Sequence, residues 1–510
     1  MAVVKKNKHR AEFGDFQTPI ELARAVCLLL LDRRLRPTSI LEPTCGLGNF
    51  LVAAIDVFPR IRRAVGIEIN QAYADAAKEA IAKEANSDVA EILSGDFFRY
   101  DWKEILRSLP DPLLVIGNPP WVTNAELGSL TSANLPNKSN FQNHRGIDAI
   151  TGKSNFDISE WMLIRALEWI RDREASLAML CKTAVARKVL FHAWKIGTKL
   201  EQADIYLIDA TKQFGAAVDA CLLVVESSMS SQKFHCQVHK SLKHEPPVTV
   251  LGYRNNHVVA DVRAYERLKG LEGKEWYRWR SGIKHDCSKV MEFNEEGDLY
   301  RNGMGEIVEI EDDYLYPMLK SADVANGREA QPKHWMLVTQ RLVGDDTSLI
   351  RHRAPKTWRY LEAHADLLDH RSSSIYRKRP RFSVFGVGDY SFTSWKVAIS
   401  GFYKKLDFKV VGPYKGKPVV LDDTCYFLAC EGREEAQLLA RLVNSDTAKE
   451  FFSALVFWDA KRPITVALLR RLDLLALAQE LSLAHELEKY LKRPSLRPAD
   501  ASQDTLALGI

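Results

Sequence analysis

The 510 residues carry 71 Lys and Arg against 66 Asp and Glu, a formal net charge of +5, with 46% apolar side chains. This gives room for two or three domains with ample core, and an ordinary globular balance that does not by itself mark a nucleic-acid binder. Eight cysteines stand without a C-x-x-C pair, arguing for neither a zinc ribbon nor a disulfide framework but for buried thiols in a reducing cytoplasm. No apolar run reaches the ~18 residues of a membrane helix, and the basic start MAVVKKNKHR lacks a following apolar stretch of secretory type.

In chain order, Pro19 to about Leu31 reads as a helix. Ser39-Ile40-Leu41 reads as a strand, followed by a glycine turn and a helix from Asn49. Ala64 to Glu68 is a strand, after which Asn70 caps an Ala-rich helix over 71–85. Glu91-Ile92-Leu93 is a strand ending at Gly95-Asp96, and Leu113 to Gly117 is another. A polar stretch over 122–155 has no apolar period and is expected as a long loop. Ser154 to Arg171 reads as a helix, and Ala175–Leu180, Asp204–Ile208 and Ala220–Glu226 as later strands. Strands alternating with helices predict an α/β, doubly wound, mostly parallel Rossmann-like sheet over 1–235. Ligands in such sheets bind outside the carboxyl ends of the strands. Residues 236–250, with Glu245-Pro246-Pro247, read as a linker. Residues 251–492 read as an α+β domain of short strands closing in helices over 435–456 and 465–492, and 493–510 as a flexible tail.

Ile40-Leu41-Glu42-Pro43-Thr44-Cys45-Gly46-Leu47-Gly48-Asn49 is strand, acid, glycine turn, helix. The glycines allow a tight turn and close approach of backbone to ligand. A lone G-x-G is weak and also serves dinucleotides. Glu68, at the end of the next strand, is placed to accept from ribose hydroxyls. Asp96, at the end of the third, is placed to accept from an adenine amine with Phe97 beside the ring. Singly, each acid reads as well as a capping or loop carboxylate. Their fall at successive strand ends argues for one shared ligand. A nicotinamide enzyme would share the first two features without needing Asp96.

The run Leu113–Gly117 stops at Asn118-Pro119-Pro120-Trp121. The Asn amide oxygen accepts hydrogen bonds, the Pro119 carbonyl precedes a residue with no N–H, two prolines stiffen the turn, and Trp121 offers a stacking face. This set suits holding a planar base by its exocyclic amine while that amine attacks a methyl donor. Plain core packing is the competing reading of Trp121.

In this order the motifs resemble the gamma-type N6-adenine DNA methyltransferases, the TaqI-like class. The resemblance covers Phe16-Gln17-Thr18-Pro19, the glycine turn, Glu68, Asp96 and the Asn-Pro-Pro-aromatic turn, and extends weakly to about residue 226. It implies a catalytic domain over 1–235 that takes S-adenosylmethionine and transfers its methyl to a flipped-out adenine in duplex DNA, followed by a target-recognition domain. By it, Thr18, Glu42, Thr44, Cys45 and Gly46 line the methionine moiety. Glu68 takes the ribose, Asp96 the adenine amine, and Phe97 and Pro120 pack on the adenine. Asn118 and Pro119 hold the target amine, and Trp121, with Phe214 of Gln213-Phe214-Gly215, stacks the target base. Trp121 stands where the family usually has Tyr or Phe. Met162, in Asp157-Ile158-Ser159-Glu160-Trp161-Met162, stands where an aromatic is usual, leaving that contact open between Met162 and Trp161.

In the second domain, Tyr376-Arg377-Lys378-Arg379-Pro380-Arg381-Phe382 is the richest basic–aromatic run, with lesser clusters at Trp276–His285, including Lys284, and at Trp458–Pro463, including Lys461 and Arg462. Arg and Lys neutralise phosphates, and Arg reads guanine edges. Each cluster alone is as often a solvated face; together they favour DNA. His285 with Cys287 is too thin for a metal site, so no metal is expected. Double-stranded DNA is the implied partner, with a separate restriction endonuclease or defence-system subunit as a further candidate and no membrane. The competing functions are cytosine-N4 DNA methylation, methylation of RNA or protein glutamine, and a non-catalytic DNA-binding subunit.

Overall fold

The computed structural model describes residues 16–121, 157–243, 245–297 and 299–491, so the whole polar stretch 122–155, the first residues (154–156) of the helix expected from Ser154, and the tail 493–510 lie outside the described residues. The chain divides into two units, Met1–Val262 and Arg263–Ile510.

The first unit is built on one sheet of β1 (Ser39–Glu42), β2 (Arg63–Glu68), β3 (Ala90–Ser94), β4 (Leu113–Gly117), β5 (Ala175–Lys182), β6 (Leu200–Asp209), β7 (Asp219–Ser227), β8 (His235–His239), β9 (Thr249–Arg254) and β10 (His257–Val259). Its order is β10-β9-β8-β6-β7-β5-β4-β1-β2-β3. The pairs β3–β2, β2–β1, β1–β4 and β4–β5 are parallel, while β7 is antiparallel to both β5 and β6. The order reverses at β1, which lies between β2 and β4, and that reversal opens a crevice at their carboxyl ends. β1 and β4 are buried along their whole length. Strands covered on both faces read as unbroken apolar runs, which is why Leu113–Gly117 was visible in the sequence.

Helices α1 (Ile20–Asp32) and α2 (Asn49–Val57) cover one face, packing Leu22, Val26 and Leu30 with Phe50, Leu51 and Ile55 onto Ile40, Leu114 and Ile116. Each such side chain stabilises by ~1.5–3 kcal/mol on full burial. Asn70 caps α3 (Gln71–Ile81) by accepting from the Ala72 and Tyr73 amides. The helix ends before residue 85 because Ile81 is its last buried residue and Ala82 and Lys83 are exposed, so no apolar stripe carries it further. α4 (Trp102–Ser108), α5 (Ile158–Ile170), α6 (Thr183–Lys195) and α7 (Ala210–Phe214) complete the unit. α4 and α6 went unread: α4 is short, and α6 follows β5 with no loop and no side-chain cap.

The stretch 236–250 is not a linker. β8 pairs parallel with β6, β9 pairs with β8, and β10 closes a hairpin through Asn255 and Asn256, both at positive φ (45° and 64°). Two such residues suit the tight turn that matches strand twist. Pro246 and Pro247, which suggested a boundary, occupy the β8–β9 connection. β8 is tied inward by His239, whose ring stacks on Tyr206 at 4.4 Å and lies 3.1 Å from the fully buried Asp204.

The second unit is α+β. A four-stranded sheet runs β11 (Arg280–Ser281), β20 (Cys425–Cys430), β17 (Trp395–Ser400), β18 (Lys409–Val411). A six-stranded sheet runs β14 (Ile307–Val308), β13 (Leu299–Asn302), β12 (Glu292–Glu296), β16 (His334–Leu337), β15 (Leu315–Leu319), β19 (Val420–Leu421). The helix expected over 435–456 is two, Arg433–Val443 and Asp446–Leu455, because Ser445 caps the second, while Asn444 between them donates its side-chain Nδ2 to the Phe408 carbonyl at 2.8 Å. That expected over 465–492 is three, with Thr465 and Asp473 capping the first two. Among the described residues no helix is long and apolar enough to cross a membrane.

Candidate active site

The glycine turn closes the carboxyl end of β1. Cys45 donates its amide to the Ile67 carbonyl at 2.9 Å, lacing the turn to β2. Gly46 takes φ +51°, a backbone conformation that L side chains rarely adopt, and a Cβ there would lie 2.3 Å from Gln17 Oε1 and displace that side chain. The Gly46 amide donates to Glu68 Oε2 and the Asn70 amide to Glu68 Oε1, each at 2.8 Å. The acid at the end of β2 is thereby fixed facing the turn.

Residues 16–18 lie against this turn. Gln17 Oε1 accepts from the Leu47 amide at 3.1 Å, and the Thr18 carbonyl accepts from Asn49 Nδ2 at 2.7 Å. The Thr18 side chain is buried, as is Cys45. Glu42 is only 2% exposed and its Oε2 has no hydrogen-bond partner; burial pushes its carboxyl well above the usual range, and Glu68 adds in the same sense. Thr44 Oγ1 is also buried without a partner. Buried polar atoms are rarely left so, each costing ~1–3 kcal/mol, and they mark where a ligand's donors and charge belong. An ammonium-bearing sulfonium such as S-adenosylmethionine fits this set.

Asp96 accepts from the Phe98 amide at 2.9 Å and lies 3.7 Å from Arg99. Phe97 is mostly buried, with Phe98, Trp102, Trp161 and Trp169 ring centres 5.1–5.9 Å from its own. Of the two residues at the position left open in the sequence, Trp161 joins this aromatic wall and Met162 is buried at 3% exposure.

At the end of β4, Asn118 Nδ2 donates to the Phe16 carbonyl at 2.8 Å, while Asn118 Oδ1 is buried with no partner. Trp121 is 5% exposed, in a three-ring group with Phe16 at 5.6 Å and Phe214 at 5.2 Å. Its indole N–H reaches the Leu180 carbonyl at 3.4 Å. The open stacking face expected of Trp121 is therefore covered here, because its ring also belongs to the core under β4 and β5. Phe214 ends α7, where Gly215 (φ +67°) turns the chain.

Phe16, Gln17 and Lys182 were missed as site residues. Lys182 Nζ donates to the Trp121 carbonyl at 3.2 Å and to Asp157 Oδ2 at 2.8 Å. Its signal in the sequence is a charge closing an otherwise buried strand.

In the second unit, Arg377, Lys378 and Arg379 are exposed, and Lys378 (φ +62°) and Phe382 (φ +64°) bend the run. Arg381 is engaged, pairing with Asp369 at 2.6 Å. Lys284 joins the same loop region through paired backbone hydrogen bonds with Phe385 at 2.8 and 2.9 Å. Arg462 lies 4.4 Å from the Phe402 ring. His285 pairs with Glu292 at 3.2 Å.

Residues 3–174 match the N-6 DNA Methylase family. The chain is 48% identical over 473 residues, 92% of its own length and 98% of the relative's, to the type II methyltransferase M.NspV of Nostoc sp. (strain ATCC 29411 / PCC 7524). It is 34% identical over 116 residues, 23% of this chain and 26% of the relative, to the type II methyltransferase M.CvrRI of Paramecium bursaria Chlorella virus XZ-6E. Its fold is similar to that of the type IIL restriction-modification enzyme MmeI, solved in complex with DNA, with a TM-score of 0.53 at 14% identity over 96% of this chain and 69% of that one. With a nearly full-length relative at 48% identity, the chain belongs to the N-6 DNA methylase family, S-adenosylmethionine-dependent enzymes that methylate DNA at the N6 amine of adenine.

Proposed function

We propose that the chain methylates the N6 amine of an adenine flipped out of duplex DNA, with Asn118 Oδ1 and the Pro119 carbonyl holding the amine. One observation carries this reading: Asn118 Oδ1 is buried without a partner while its own amide nitrogen is anchored to Phe16. The adenine amine is a poor nucleophile because its lone pair is delocalised into the ring. Two acceptors on its two N–H bonds draw it towards a tetrahedral geometry and localise that pair. S-Adenosylmethionine supplies a methyl on a sulfonium, a leaving group good enough that no strong base is needed. The N–C bond forms as the C–S bond breaks, and the amine then releases a proton to solvent. Oriented groups contribute ~7–11 kcal/mol to such a step.

Glu68 is assigned to the ribose and Asp96 with Phe97 to the adenine of the donor. Thr18, Glu42, Thr44, Cys45 and Gly46 line its methionine end, and Pro120 packs on its base. Flipping the target costs a few kcal/mol, offset by aromatic contact with Trp121 and Phe214. Because both rings are packed together here, the base is received by their rearrangement or at their edges. The second unit reads the DNA sequence, with the exposed Arg377, Lys378 and Arg379 foremost. The setting is restriction–modification, with a separate endonuclease as the partner. The test is single-molecule sequencing of DNA from cells expressing the chain. N6-methyladenine at one motif is expected; N4-methylcytosine, or transfer of labelled methyl only to RNA or protein, overturns the reading.

A further inference from the structure

Lys182 closes β5 and stands directly before α6. The seven residues before it in the strand are buried, so its ammonium must find partners at the sheet end. It donates to the Trp121 carbonyl at 3.2 Å and to Asp157 Oδ2 at 2.8 Å. Asp157 is 5% exposed and already fixed as the N-cap of α5, its Oδ1 accepting from the Ser159 amide at 3.0 Å and the Ser159 hydroxyl at 2.6 Å. One ammonium therefore joins the last residue of the Asn118–Trp121 turn to the start of a helix.

The turn is held at both ends. Asn118 is anchored to Phe16, and Trp121 is anchored to β5 twice, through its indole N–H to Leu180 and through its carbonyl to Lys182. Pro119 and Pro120 between them have fixed φ and no N–H. A stiff segment pinned at two ends transmits displacement of one end to the other. Releasing Trp121 would free one end of the segment that carries the Pro119 carbonyl, leaving Asn118 held by Phe16 alone.

We infer that Lys182 is a positioning residue for methyl transfer: its ammonium fixes the Trp121 carbonyl against the α5 N-terminus and so holds the two acceptors of the turn where the target amine must sit. This rests on the assignment of Asn118 to that amine. Lys182 touches no reacting atom. A displacement of about 1 Å at a reacting centre lowers rate by up to ~10²-fold, so the effect falls on transfer rather than on donor binding.

The test compares Lys182→Met, Lys182→Arg and Asp157→Asn in the full chain, using duplex DNA bearing the motif found by sequencing. Single-turnover transfer, S-adenosylmethionine affinity by calorimetry and melting temperature are measured together. Lys182→Met should lower the single-turnover rate by ~10-fold or more, the scale of a sub-ångström misplacement, with donor affinity within about twofold of wild type. Lys182→Arg, which keeps a charged donor, should recover most of that rate. Asp157→Asn should lower it in the same sense, and the double variant Lys182→Met/Asp157→Asn should fall short of the product of the single losses. A Lys182→Met rate near wild type, or a loss of donor affinity in parallel with rate, overturns the inference. If Lys182→Met does not fold, a wild-type rate in Asp157→Asn overturns it. Asn118→Ala is the control: if it stays active, the Asn118 assignment fails, whereas an inactive Asn118→Ala beside a normal Lys182→Met removes the Lys182 inference alone.

Discussion

Asn118 gives its amide nitrogen to the Phe16 carbonyl at 2.8 Å and leaves its amide oxygen buried and unpartnered. A carbonyl can only accept, so the group facing Phe16 must be the NH2, and the amide cannot rotate to present a donor to the site. The anchoring bond thereby sets the polarity of the Asn118–Trp121 turn. Asn118→Ala should reduce methyl transfer by ~10²–10³-fold, the scale for losing a preorganised polar group, and leave donor affinity within about twofold. Near-normal single-turnover transfer would reject the assignment.

Glu68 accepts the Gly46 and Asn70 amides, so its loss acts on the free protein as well as on the complex. Glu68→Ala should lower the melting temperature and weaken S-adenosylmethionine binding, each unpaired buried group costing ~1–3 kcal/mol. Calorimetry showing unchanged donor affinity would detach Glu68 from the ribose.

Glu42 provides a pH signature. Its titratable neighbours are the Glu68 carboxyl and the thiols of Cys27 and Cys45, none of them cationic, and burial raises its carboxyl well above the ordinary value of 4.5. Between 4.5 and that raised value the folded chain holds a proton that the unfolded chain has released, so this group's contribution to stability falls as pH rises through the window. Glu42→Gln should therefore gain stability relative to wild type as pH rises from about 4.5. A bound ammonium and sulfonium favour the carboxylate. Wild-type donor binding should accordingly release a proton, read as calorimetric heats that vary with buffer ionisation enthalpy; Glu42→Gln should lose that dependence.

Lys396 gives the opposite slope in the second unit. It is 1% exposed, donates to the Thr393 carbonyl at 2.6 Å, and burial pushes its ammonium down to about 7. Between about 7 and its ordinary 10.5 the unfolded chain binds a proton that the folded chain does not, so its contribution to stability rises with pH. Lys396→Met should stabilise most at or below neutral pH, with the gain over wild type shrinking towards pH 10. Denaturant unfolding of both proteins across that range measures it; a constant difference would contradict it.

The basic run divides by exposure. Arg377→Ala, Lys378→Ala or Arg379→Ala should weaken DNA binding and lower the salt slope by ~1 unit for a phosphate contact, or relax discrimination at one base pair by ~1–3 kcal/mol for a base contact. Arg381→Ala should do less, because Asp369 already holds that guanidinium at 2.6 Å. Affinity for specific and random duplex across salt decides; three inert variants would make the run a solvated face.

The central strands and the acids at their ends were legible because parallel strands buried on both faces read as apolar runs and a polar residue ends each run. What was illegible depends on distant partners. Nothing local marks Gln17 as the acceptor for Leu47, or Lys182 as the joint between Trp121 and Asp157. The β8–β10 edge was misread because two prolines in a connection look like a domain boundary, while the pairing of β8 with β6 spans about thirty residues. Trp121 and Phe97 were read as faces for bases, yet both are largely buried, and sequence type alone does not separate an aromatic that lines a site from one that supports it.

Phe16, Gln17 and Thr18 are each latched to a different feature: the first to Asn118, the second to Leu47 of the glycine turn, the third to Asn49 at the start of α2. Three consecutive residues thus tie together the turns proposed to hold the amine and the donor. Loss of these three residues would remove all three latches together while sparing every strand of the sheet. Such a truncation is an all-or-none event, and the methylation state of the DNA would record it as missing marks rather than as marks at altered sequences.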